Sequence, residues 1–211
     1  MLNKILLTGV ALALPVFLSA QTSTQRATTT LTADLMGSNE NPAVDTPNTG
    51  QFTITMAFDV EADDDGTWEN IGDAVQEGFD DFLGFFGVDD DDDETPANGR
   101  LMVERDNISK VTVSVQGDFD KPQGSAAQTI TGFHIHDGGA SENGPVVVNF
   151  GVSSMSANSG TTRLSRSVML TTGMDIDTAV DIARNPGNYY LNLHTNANPS
   201  GEVRGQLRRS S

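Results

Sequence analysis

The chain has three histidines, and all three lie in two short motifs, Gly132-Phe133-His134-Ile135-His136 and Tyr190-Leu191-Asn192-Leu193-His194-Thr195. Zinc and copper favour imidazole, and three imidazoles with a fourth position left open make a reactive centre. In a β-strand, residues two apart point the same way. His134 and His136 therefore share one face, with Phe133 and Ile135 on the other. In the second motif Leu191 and Leu193 share a face, opposite Tyr190, Asn192 and His194. The apolar residues must look inward, so the histidines are expected to meet on the outward face of one sheet. That pattern nominates His134, His136 and His194 as ligands of one Zn or Cu ion.

The competing reading is structural. A histidine at a strand end often hydrogen-bonds a loop carbonyl or a carboxylate, and Asp137 and Glu202 are near enough in sequence to serve. Glu202 and Arg204 alternate outward from Val203, on a strand joined to that of His194 by the loop 196–201. They read either as groups that orient a histidine and fix its tautomer or as an ion pair across a hairpin. Asp137, Glu202 and Arg204 are the candidate residues behind the ligands. Both motifs put their histidines at the C-terminal ends of strands, and if those strands are antiparallel neighbours the rings need not converge.

Other chemistries find no support. With no cysteine there are no disulfides, no thiol chemistry and no lipid-modified cysteine. No Gly-x-Ser-x-Gly elbow and no phosphate-binding loop occurs. The formal charge is -17, and 16 of the 29 acidic residues fall in 59–94, a stretch with no Lys or Arg. The remainder is nearly neutral, so this is a domain carrying one anionic insertion, about residues 62–98. Phosphate contacts need clustered bases, so nucleic acid is not an expected partner. The runs Asp63-Asp64-Asp65-Gly66 and Asp89 to Glu94 suit Ca²⁺ as oxygen donors, but neither follows the EF-hand spacing. A solvated loop that condenses counterions is the alternative.

Strands must position these groups. Residues 30–36, 51–60, 100–105, 108–116, 129–136, 145–150, 164–170, 189–194 and 202–207 show period-two alternation between Gly, Pro and Asn loops. The expected fold is all-β, an antiparallel Greek-key-like β-sandwich with one acidic helical insertion. Residues 100–105 and 108–116 are expected to form a hairpin around Asp106-Asn107. Trp68 to Phe86 carries Ile71, Val75, Phe79, Phe82 and Phe86 at helical spacing inside the acidic insertion. A second helix is expected over 175–184, capped by Asp175 or Asp177 and stopped by Pro186-Gly187. Residues 1–20 read as a signal peptide: Lys4, an apolar core shorter than a membrane span, then Ser19-Ala20. Residues 21–29 read as a disordered linker and 30–208 as one domain, secreted or periplasmic, with no membrane span.

The motifs in order resemble the CHRD (chordin-type) domain family. The carrying residues are Gly132 to His136, Glu142-Asn143-Gly144-Pro145-Val146-Val147-Val148, Tyr189 to Thr195, and Asn198-Pro199-Ser200-Gly201-Glu202-Val203-Arg204-Gly205-Gln206-Leu207. Residues 35–44 resemble the family's opening segment, so the likeness spans about Thr30 to Leu207. It implies a secreted or envelope β-domain; in animals such domains occur in an extracellular antagonist of growth factors. Two departures stand out. The family usually follows His-x-His with Gly-Pro, where this chain has Asp137-Gly138-Gly139, and the acidic insertion does not match the family pattern. The functional expectation is a non-catalytic binding module, metal-binding through the histidines, with an extracellular protein or glycan partner. The alternative is a mononuclear copper or zinc redox enzyme. A His-x-His strand with a distant histidine resembles the copper arrangement of Cu/Zn superoxide dismutases, but three histidines cannot supply the full two-metal set. A third reading is an envelope protein that scavenges cations through its aspartate runs. Oligomeric state is not legible.

Overall fold

The computed structural model describes residues 24–61 and 107–210. The expected signal peptide, the acidic insertion with its helix at 68–86, both aspartate runs and the strand at 100–105 lie outside the described residues. Within them, ten strands and one α-helix follow one another: β1 (Thr24–Met36), β2 (Thr49–Glu61), β3 (Ile108–Lys121), β4 (Gln128–Asp137), β5 (Val146–Asn149), β6 (Met155–Ala157), β7 (Gly160–Leu170), α1 (Gly173–Arg184), β8 (Tyr189–Thr195), β9 (Val203–Gln206) and β10 (Arg208–Arg209).

All pairings are antiparallel, and one hydrogen-bonded sheet runs β5-β4-β8-β9-β1-β2-β3-β7, with β6 on β4 and β10 on β1. The all-β antiparallel expectation holds. The two layers of a sandwich are here two halves of one sheet that curls onto itself. Phe52 on β2 packs against Phe133 on β4 with ring centroids 4.9 Å apart, although three strands separate β2 from β4 in the sheet order. That contact requires the halves to face each other across the core. The connections β3 to β4 and β7 to β8 join strands that are not sheet neighbours, as Greek-key connections do.

Period-two alternation fills this core. Leu31, Leu35, Ile54, Met56, Phe58, Val111, Val113, Phe119, Phe133, Ile135, Leu191 and Leu193 are almost wholly buried and belong to one cluster. Three expectations need correction. Residues 24–29, expected to be disordered, continue β1 and pair one by one with the end of β2, Thr24 opposite Glu61 and Thr29 opposite Met56. Their threonines are polar but β-branched and suit a pleated surface; alternation there runs through Ala27 and Thr29, both buried. β3 takes β2 and β7 as its neighbours, so over 111–116 both its edges are paired and it offers no free edge there for the hairpin expected with residues 100–105. Finally, α1 is capped by Thr172, whose hydroxyl accepts from the Asp175 amide at 3.3 Å, rather than by Asp175 or Asp177.

Candidate metal centre

The register of β4 on β8 decides the histidine geometry. Gly132 lies opposite His194, His134 opposite Asn192, and His136 opposite Tyr190. The strands are antiparallel neighbours, so their C-terminal ends point apart. His194 nevertheless sits across from the residue two before His134, which makes the two histidines diagonal neighbours within side-chain reach. Gly132 keeps the space between them clear. A Cβ there would lie 2.8 Å from His134 Cε1 and 3.2 Å from His194 Cδ2. The ring centroids are 5.0 Å apart for His134–His194, 5.7 Å for His134–His136 and 5.9 Å for His136–His194.

One nitrogen of each ring is offered to the middle, and these atoms lie within 4.8 Å of one another. Nitrogens on a tetrahedral zinc stand roughly 3.4 Å apart, so ring movements on the order of 1 Å separate this arrangement from ligation. His134 Nδ1, His136 Nε2 and His194 Nε2 are buried without a hydrogen-bond partner. Three shielded, unpaired ring nitrogens are costly unless something occupies the space between them. Two of the rings are held from behind. His136 Nδ1 lies 3.0 Å from the Gly144 carbonyl and His194 Nδ1 3.0 Å from the Pro199 carbonyl. A carbonyl accepts only, so each Nδ1 carries the proton and each Nε2 presents its lone pair, the tautomer a metal needs.

The outward face is not open to solvent, as parity alone suggests. His136, Tyr190, Asn192 and Arg204 are 8%, 2%, 3% and 1% exposed; His134 and His194 are half-buried. Two segments cover it, residues 37–48 and the loop 138–145. Arg204 pins both. It donates to the Asn39 carbonyl at 2.5 Å and to the carbonyls of Ala140 and Glu142 at 3.1 and 2.9 Å. The segments also join directly, through Asn41 Nδ2 on the Ser141 carbonyl and Asn143 Nδ2 on the Asn41 carbonyl. The Tyr190 ring stacks on His136 at 4.9 Å with 9° between planes, and the Arg204 guanidinium lies 4.6 Å from its centroid. β8 runs between β4 and β9, so the phenol ring separates imidazole from guanidinium.

The three residues expected behind the ligands fare differently. Asp137 is exposed and opposite Tyr189, on the other face from His136. No contact of its carboxylate with a histidine is present, because one residue of parity separates them. Glu202 is fully buried but does not pair with Arg204. Its oxygens accept from Thr46, Asn48, Thr195 and Asn198 at 2.6–2.8 Å. Through Thr195 and Asn198 it holds the ends of the loop whose Pro199 carbonyl orients His194. Its influence on a histidine is therefore indirect. The carboxylate beside Arg204 is Glu40, 3.9 Å away and 6% exposed. An ion pair across the Glu202–Arg204 hairpin is replaced by a contact with a residue far away in sequence.

Burial and the neighbouring charges of His194 and His136 push His134 down to about 4. Burial also lowers His136, opposed by its Gly144 carbonyl and reinforced by His194 and Arg204. Both effects favour the neutral, ligating form near neutral pH. Burial pushes Glu40 up to about 7, against the pull of Arg204 and of a hydrogen bond from Asn192. Burial acts on Glu202 in the same direction, but its four side-chain donors together hold it below the ordinary carboxylate value.

Sequence reasoning missed Tyr190, Asn192 and Glu40 as parts of the site, and the two carbonyls as orienting groups. Tyr190 and Asn192 carried a signal, since strand parity places them on the histidine face. Glu40 carried none, because the 37–48 segment reaches the site by a fold-level detour.

The CHRD domain family matches residues 87–207, more than half of the chain and including both histidine motifs. The match begins inside the acidic insertion and leaves out residues 35–44, which resemble the family's opening segment. No curated protein and no solved structure matches the chain. With both motifs, the Asn198–Leu207 strand and its loop all inside the matched span, the chain belongs to the CHRD domain family.

Proposed function

We propose that this chain is a secreted or periplasmic binding module without catalytic activity, which holds one Zn²⁺ or Cu²⁺ ion on His134, His136 and His194. Two observations carry the reading: each of the three rings offers a nitrogen within 4.8 Å of the others, and each has one buried nitrogen without a hydrogen-bond partner. Structural histidines would be expected to spend both nitrogens on protein groups; here each keeps one back. CHRD domains are typically extracellular, and no helix among the described residues is long and apolar enough to cross a membrane. The leader-like residues 1–20 support export. The partner class is an extracellular protein or glycan.

The test is calorimetric titration of Zn²⁺ and Cu²⁺ into untagged protein and into His136→Ala. The wild type should take one ion, and the variant should lose at least a hundredfold in affinity. Equal affinities would mean that the cluster is structural and that any metal binds the aspartate runs at 63–65 and 89–94. A second reading is a mononuclear copper centre with superoxide-type redox activity. Half-burial of His134 and His194 favours it, since it leaves an approach to the ion. Dismutation assays on the copper-loaded protein separate the two readings.

A further inference from the structure

Asn192 has the same parity as the histidines and lies directly opposite His134. It is 3% exposed, and its Oδ1 is buried without a partner. The Glu40 carboxyl, which sits beside Arg204, feels the pull of the Asn192 amide. The sheet order sets what lies on either side of this amide. β8 has β9, with Arg204, on one side and β4, with His134, on the other. An amide whose NH₂ reaches toward the Arg204 side turns its oxygen toward the histidine side. Among the described residues no donor satisfies this buried oxygen, and His136 and His194 spend their Nδ1 protons on carbonyls.

We propose that Asn192, oriented by Glu40, is a positioning residue whose Oδ1 accepts a hydrogen bond from a water or hydroxyl-bearing ligand held at the open position of the three-histidine centre. This rests on the metal reading above. It adds a selectivity: the centre favours ligands that can donate a hydrogen bond and disfavours anions that only accept. The amide lone pair attracts a bound O–H and repels a bare anion.

Azide is the probe, because the azide anion accepts hydrogen bonds and donates none. Its affinity for the Cu²⁺-loaded protein can be read from the charge-transfer band. Asn192→Leu removes the acceptor at nearly constant volume. It should leave Cu²⁺ affinity within a few-fold of wild type and bind azide about three- to tenfold tighter, the worth of one neutral hydrogen bond. Asn192→Asp puts a charged oxygen in the same place and should weaken azide by at least about tenfold. Opposite signs from two near-isosteric changes are not what a purely structural role produces. Azide affinity unchanged in Asn192→Leu, with Cu²⁺ still bound, overturns the proposal and leaves the metal reading intact. Should that variant not fold, unchanged azide affinity in Asn192→Asp overturns it equally. A wild type that takes up no Cu²⁺ removes both.

Discussion

At the scale of single residues, the site is built from groups that are costly to bury. Glu40 and His134 give opposite pH responses. His134, held down to about 4 by burial and by its histidine neighbours, binds fewer protons folded than unfolded between about pH 4 and its ordinary value near 6.5. Its contribution is complete above that range and is lost as pH falls through it. Glu40, pushed up to about 7 by burial, binds more protons folded than unfolded between its ordinary value near 4.5 and 7. It therefore subtracts stability as pH rises through that window. Glu40→Gln removes only the second effect. Urea melts from pH 4 to 8 should show the variant gaining on wild type between about pH 4.5 and 7, then a constant difference. A gap that shrinks with rising pH would mean that Glu40 is stabilised as the anion by Arg204. Glu202 is the contrasting carboxylate, satisfied by side-chain donors from Thr46, Asn48, Thr195 and Asn198 and, at 3.5 Å, from Gln128. Glu202→Ala should cost about 1–3 kcal/mol, the range for leaving buried donors unsatisfied. By freeing the Pro199 carbonyl, it should also lower metal affinity roughly 10–100-fold. Loss of stability with metal affinity retained would show that the loop orients His194 without Glu202.

At the scale of elements, β4 and β8 carry the site, and their register is its main determinant. Parity was legible: Phe133, Ile135, Leu191 and Leu193 are buried, and the histidines share the opposite face. The closing of the rings was not. It depends on His194 pairing with Gly132 rather than with a neighbour, and pairing register is a property of two strands together. The Asp137 expectation failed for a related reason: closeness in sequence on a strand alternates faces. Glu40 lay beyond sequence reasoning because it approaches on a covering segment that Arg204 pins from β9. Gly132 is the element's test point. Gly132→Ala brings a methyl to 2.8 Å from the His134 ring and 3.2 Å from that of His194, so one ring must turn away. Zn²⁺ or Cu²⁺ affinity should fall at least tenfold. The cost in stability should stay near 1–3 kcal/mol, the usual range for overpacking. Unchanged affinity would place the ligating atoms elsewhere. Gly144 is less forgiving, because a Cβ there would lie 1.4 Å from the Asp137 carbonyl oxygen. Gly144→Ala must move the loop, and with it the carbonyl that orients His136.

At the scale of the molecule, the anionic segment and the histidine centre belong to different parts of the strand plan. β2 and β3 pair along nearly their whole length, and the pairing closes with Val60 opposite Ile108. The residues flanking 62–106 are therefore neighbours across one antiparallel ladder, and a hairpin loop of two to five residues spans such a gap. Asp59 marks that end of the ladder. Arg26 on β1, at 2.5 Å, and Lys110 on β3, at 2.6 Å, flank its carboxylate and hold it below its ordinary range. The histidines sit on β4 and β8, separated from this hairpin in the sheet by β9 and β1. Replacing residues 62–106 with an Asn-Gly turn flanked by one residue on each side should thus leave a cooperative melt, since β2 and β3 retain each other. It should also leave the affinity of the three-histidine centre within a few-fold of wild type, while abolishing loose Ca²⁺ uptake if the aspartate runs provide it. Calorimetry with Zn²⁺ and Ca²⁺ on the shortened chain distinguishes these outcomes. A non-cooperative melt would show that the segment supplies part of the core, and a lost Zn²⁺ site would show that it reaches the histidines.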